Sequence, residues 1–201
     1  MVKKLVVSML AVMLVTGAVY ADEITDQIDL AKEFYQEERY SEAIEEFQFA
    51  IVQIQQLQFE QLKKVFPQPL KGWEADEPEG TAAGMSFLGG GIAISRDYYR
   101  EETDESVDIQ IMANSPLLQS IMMFIQNPAL LAAQPGSKMI RIHGKKAILK
   151  FSSQDKKGEL SFVVGTKTLV TVSGNEITDA SVMVQYAENI NVDLIKKIVG
   201  E

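Results

Sequence analysis

The spacing of hydrophobic residues changes along the chain, and the change divides it in two. Between residues 22 and 66 apolar positions recur every three or four residues, with neither glycine nor proline, the period of amphipathic helices. Two helices are expected, over 24–37 and 41–66. Ser41 is suited to cap the second, with Glu42 in the first turn where a carboxylate favours the positive helix end. Ala43, Phe47, Ala50, Ile54 and Leu57 mark its expected buried stripe. The run Phe66-Pro67-Gln68-Pro69 ends it, because proline restricts the residue before it and supplies no N–H.

From residue 84 apolar and polar positions alternate instead. Strands are expected over 86–99, interrupted at Gly89-Gly90-Gly91, and over 106–113, followed by a helix over 116–133. Four more strands follow, 138–142, 145–151, 159–164 and 167–172. They are separated by the turn-formers His143-Gly144, Asp155-Lys156-Lys157-Gly158 and Gly165-Thr166, and Gly174-Asn175 follows the last. A helix over 178–199, broken near Asn189-Ile190-Asn191, closes the chain. Strand neighbours joined by short turns imply antiparallel pairing, so the expected fold class is α+β: a helical hairpin, then a mainly antiparallel sheet packed with helices. The stretch 67–83 is rich in proline, glycine and acids and reads as a linker between a hairpin at 22–66 and a domain at 84–201. Trp73 within it is expected to pack onto the domain that follows.

The first 21 residues follow a different logic. Lys3 and Lys4 precede an apolar run from Leu5 to about Val15, and Val19-Tyr20-Ala21 supplies small residues before a cut. These are the three parts of a cleavable secretory signal peptide, expected to be removed after Ala21. The run is too short for the roughly 20 apolar residues that span a bilayer. The expected location is therefore periplasmic, with no stable membrane insertion after cleavage. The chain has no cysteine, which excludes a lipidated cysteine, disulfides and zinc–thiolate sites. Its formal charge of −9 becomes about −11 without the two leader lysines, a balance that argues against nucleic acid as a partner.

Within the helical block, Leu30, Ala31, Phe34, Tyr40, Ala43, Phe47, Ala50 and Ile54 stand at the spacing of one tetratricopeptide repeat, and the segment resembles that family. The resemblance covers about 34 residues. It implies two helices approaching closely at small residues, with aromatics filling the gap. Glu38 departs from the glycine the family prefers in the turn, and the proline usual after the second helix is not at its place. A single hairpin cannot bury its apolar face alone. Ile44, Ile51 and Phe59 are the residues expected to meet what covers it: the C-terminal domain, a second subunit or a protein partner. The C-terminal part faintly resembles the small α/β/α sandwiches typified by the Mog1 and PsbP proteins, and uncharacterised exported bacterial proteins. That likeness rests on the order of elements and on Leu169 to Gly174 before a helix holding Tyr186 to Ile190. It implies fold only and carries over no catalytic residue.

Little in the sequence points to reaction chemistry. His143 is the only histidine and reads as a solvated residue at a hairpin tip rather than a base. Gly89-Gly90-Gly91 precedes alternating residues, not a helix, so it suits a bulge better than a phosphate loop. Glu101-Glu102-Thr103-Asp104-Glu105 lacks the ligand order that wraps calcium. Met122 and Met123 lie among Leu117, Leu118, Ile121, Phe124 and Ile125, which favours core packing over a copper site. Lys138, Arg141, Lys145, Lys146, Lys150, Lys156 and Lys157 gather in the hairpins, opposite in sign to the acidic helices, and read as solvated faces. No catalytic residue, metal site or cofactor is expected. The expected function is a non-enzymatic accessory module that binds a protein or itself. The alternative is a small-molecule or lipid carrier, with a cavity between the sheet and the 116–133 helix.

Overall fold

The computed structural model of the protein describes residues 23–81, 93–113, 115 and 117–200. The expected leader, its cut site and Gly89-Gly90-Gly91 lie outside the described residues. The fold is α+β. Helix α1 (23–36) and helix α2 (Tyr40–Leu62) lead into a 3-10 turn at Lys63–Val65. The chain forms two compact units divided after Leu57, so the last turns of α2 belong to the second.

That second unit is built on an antiparallel sheet. Its strands are β1 (Glu74–Ala75), β2 (Glu79–Thr81), β3 (Ala93–Arg100), β4 (Glu105–Ala113), β5 (Ser137–Ile142), β6 (Lys145–Ser152), β7 (Lys157–Val164) and β8 (Thr168–Asn175). The order across the sheet is β1-β3-β4-β8-β7-β6-β5, and β2 also pairs with β3. Helices α3 (Leu118–Gln126) and α4 (Pro128–Ala132) come between β4 and β5, and α5 (Ser181–Glu188) and α6 (Val192–Val199) follow β8.

Residues 67–81 are not the expected linker. They add two short strands to the edge of β3 and bind the sheet through side chains. The Tyr98 hydroxyl donates to the Pro67 carbonyl at 2.8 Å, Arg96 donates to Pro67 and Asp76 carbonyls, and the Leu70 N–H donates to the Tyr186 hydroxyl. Trp73 is buried and stands edge-on to Tyr186, with Arg100 over its ring. Proline and glycine break the periodicity there, but the Pro67 and Asp76 carbonyls are met by donors from Tyr98 and Arg96 on β3.

Register fixes two different faces. Ile94, Tyr98, Val107, Ile109, Ile111, Leu160, Phe162, Val170 and Val172 share one, and all are buried. On it lie Met183, Tyr186 and Ala187 of α5, Ile195 and Ile198 of α6, Phe59 and Leu62 from the end of α2, and Val65 of the 3-10 turn. Gly158 and Gly174 are opposed across β7 and β8. A Cβ on Gly158 would collide with Met183 Cε, and one on Gly174 with Ile177 and Met183, so two glycines let α5 sit close to the sheet. Two aromatic hydroxyls are buried in this core. Burial pushes the Tyr98 phenol well above its usual value and that of Tyr186 up to about 12.

The other face is divided. At its β5–β7 side α3 rests on β6 and β7 and α4 on β5, where Leu131 and Ile148 are buried. At its β3–β4–β8 side the outward row is polar: Ser95, Asp97, Asp108, Gln110, Thr171 and Ser173.

Candidate functional site

Taken alone, the first unit is a helical hairpin whose turn is Glu37–Arg39. Three backbone hydrogen bonds close it: Glu37 N–H to Glu33 O, Glu38 N–H to Tyr35 O and Arg39 N–H to Phe34 O, at 3.0, 3.2 and 2.9 Å. Glu38 takes φ 60°, a left-handed conformation that glycine adopts without strain. Arg39 holds the turn from the side. Its guanidinium bonds Glu37 at 3.0 Å, binds Glu42 through two nitrogens and lies 4.2 Å from the Phe34 ring centre. The hydrogen bond from Arg39 also draws the Glu42 carboxyl below the usual range. Helix α2 therefore starts at Tyr40, with Ala43 N–H on the Arg39 carbonyl, and Ser41 falls inside its first turn rather than at the cap.

Ala31, Ala43 and Ala50 are buried. The rest of the stripe expected to be buried is not: Phe47, Ile54 and Leu57 are exposed. Ile44 is 55% and Ile51 52% exposed, and Tyr40 is exposed with them. At 100° per residue, Tyr40, Ile44, Phe47, Ile51 and Ile54 fall in one row along α2, spaced four, three, four and three. Glu42, Glu45 and Glu46 lie on other sides of the helix, and the row is flanked by Gln48 and Gln55. The result is an apolar seam without charge on a hairpin whose other sides carry acids together with the exposed Phe49 and Val52.

Phe59 does not belong to this seam. It is 7% exposed and part of the sheet unit's core, so among the partner residues expected from the sequence only Ile44 and Ile51 are brought together at a surface. Phe59 stands eight residues past Ile51, about 80° round the helix, in the turns that the sheet unit covers. Sequence reasoning placed Phe47 and Ile54 in the interior. The signal that identifies them is the unbroken alternation of three and four from Tyr40 onward, which is the period of a helix-to-helix seam.

The remaining candidates offer less. His143 is not a free hairpin tip. It has φ 47°, its Nε2 is 3.0 Å from the Ala187 carbonyl, and its backbone N–H lies 3.3 Å from both Glu188 carboxylate oxygens. These contacts fix the β5–β6 turn on the C-terminal end of α5. Met183 is a core residue, Met112, Met122 and Met139 are half-buried, and Met123 is exposed. In the 101–105 turn, Glu105 is held by Arg100 and Thr103. On the polar face Asp97 and Asp108 stand opposite each other across β3 and β4. Burial, with Asp97 opposite, raises Asp108 to about 6, and Asp97 is itself raised by burial and by Asp76 and Glu79. Among the described residues no group of three or more histidine, aspartate or glutamate side chains could hold a metal ion, and no helix is long and apolar enough to cross a membrane. An open groove of about 1010 Å³ lies at the β6–β7 turn, lined by Lys150, Phe151, Asp155, Lys157 and Glu159 among others.

The fold and the seam define a class: an α+β protein carrying a helical hairpin with an uncovered, charge-free apolar row. No family model, curated protein or solved structure matches this chain.

Proposed function

We propose that the chain is an exported, non-enzymatic interaction module of the periplasm, and that it binds through the exposed row of α2. The seam carries this reading: five large apolar side chains stand exposed in line on one helix. Contiguous apolar surface of several hundred Å² mostly marks a site of association, and a lone helical hairpin has no second layer of its own to cover one. The leader-like N-terminus supports the compartment, and the resemblance of residues 30–54 to a tetratricopeptide repeat agrees with a binding role.

The test is photo-crosslinking in living cells. A photoreactive residue replaces Ile44 or Ile51, and Glu45, on another side of α2, serves as the control position. A discrete adduct from positions 44 and 51 but not from 45 is expected. Absence of an adduct from both seam positions overturns the reading. Compartment is checked separately by fractionation and the mass of the processed chain, which should begin at Asp22.

A further inference from the structure

We propose that the occupant of the seam is a second copy of this chain, with α2 against α2, antiparallel, about a two-fold axis. This rests on the hairpin being an interaction surface and adds the identity of the partner.

The spacing specifies what kind of surface fits. Apolar residues alternating by four and three on a straight helix match one helix of a coiled-coil pair, with Ile44 and Ile51 at one repeating position and Tyr40, Phe47 and Ile54 at the other. The occupant is therefore a helix with the same period, and α2 itself is one.

Charge selects among such helices. Residues 23–57 contain nine acidic and two basic side chains, so a surface bearing them would repel its own copy. The seam bears none of them. Its flanking positions, where coiled coils place the charges that choose a partner, are Gln48 and Gln55 on one side and the buried Ala43 and Ala50 on the other. A basic helix would find no carboxylate there to pair with, whereas an identical neutral row meets itself without repulsion.

Orientation follows from the same residues. Antiparallel pairing sets Phe47 opposite Ile51 of the second copy and Ile44 opposite Ile54, so each central layer is apolar on both sides, as a two-fold axis requires. It also separates the acidic first turns, with Glu37, Glu38 and Glu42, which a parallel pair would bring together. The surface offered is five large apolar side chains, each from 39% to 55% exposed, and a specific interface takes roughly 1,000 Å² in total from both partners.

The experiment is sedimentation equilibrium of the processed protein up to about 100 μM, well above the micromolar Kd such an interface supports. Twice the chain mass is expected for wild type. Ile51→Glu and Phe47→Lys should each raise the dimer Kd about 100-fold or more, with far-UV circular dichroism unchanged. Mixing the two variants should restore the dimer, because antiparallel pairing sets Glu at 51 against Lys at 47 while leaving Phe47 against Ile51 at the symmetric contact. Wild type that stays monomeric, or two variants that do not recover on mixing, overturns the proposal. The crosslinking result then separates the two claims: an adduct of other than twice the chain mass leaves the interaction reading standing without self-association, and no adduct removes both.

Discussion

Asp108 sits on the polar face of the sheet with Asp97 directly opposite on β3 and Ser173 opposite on β8. Asp76 and Glu79 add negative charge around Asp97. The folded protein holds the Asp108 proton to about pH 6, whereas an unfolded chain releases it near pH 4. Between those values the folded state binds more protons, so stability falls as pH rises through the window and the full cost is present at neutral pH. Two pH units correspond to about 3 kcal/mol, and solvent screening of this half-exposed group reduces that to about 1 kcal/mol. Asp108→Asn keeps the shape and removes the ionisation, so it should stabilise the sheet unit by about 1 kcal/mol at pH 7.5 and raise its Tm by about 3 °C. At about pH 4, where the wild-type carboxyl is protonated when folded, the advantage should vanish. Trp73 is the only tryptophan and lies in the same unit's core, so its fluorescence reports that transition selectively. An equal gain at both pH values, or none at pH 7.5, would refute the electrostatic account.

Other changes test particular contacts. Glu38→Gly relieves a left-handed backbone in the hairpin turn and should stabilise the hairpin by about 0.5–1 kcal/mol, read from the helical signal on thermal unfolding. Gly158→Ala drives a methyl into Met183 and Phe151 and should cost about 1–3 kcal/mol by Trp73 fluorescence in urea. His143→Ala removes the ring's contact with the Ala187 carbonyl and should cost about 1 kcal/mol, where a freely solvated imidazole would give no change. Ala50→Leu overpacks a buried small site in the hairpin and should cost about 1–3 kcal/mol, seen as loss of helical signal at lower temperature.

The sheet was legible because its signals are local. Alternation over β4 to β8, with His143-Gly144, Gly158 and Gly165 between strands, specifies hairpins, and those pairings are what the sheet contains. Residues 67–81 were illegible for the opposite reason. Their partners are Tyr98, Arg96 and Tyr186, up to more than a hundred residues away, and no periodicity within the segment encodes a donor supplied from elsewhere. His143 was misjudged similarly: a glycine-containing turn describes the backbone, while the Ala187 carbonyl and Glu188 that engage it come from α5. In the hairpin the helices were legible, but the side facing solvent was not. A helix with apolar residues on several sides does not declare which of them its neighbour covers.

Helix α2 makes that last point within a single element. Ile44, Ile51 and Leu62 fall within about 20° of one line along it, and all three are large aliphatic residues. Leu62 is buried in the sheet unit's core, with Phe59 and Val65 beside it, whereas Ile44 and Ile51 are bare. The sequence is thus equally apolar along this line on both sides of Leu57: within the sheet unit Leu62 is buried, and within the hairpin unit, taken by itself, Ile44 and Ile51 are exposed. The other sides of the helix carry Glu42, Glu45 and Glu46 beside the exposed Phe49 and Val52, whereas this line carries no charge. Keeping Ile44, Phe47, Ile51 and Ile54 there instead leaves about 25 cal/mol per Å² of apolar area unrealised. A second helix with the same row recovers that free energy without burying a charge.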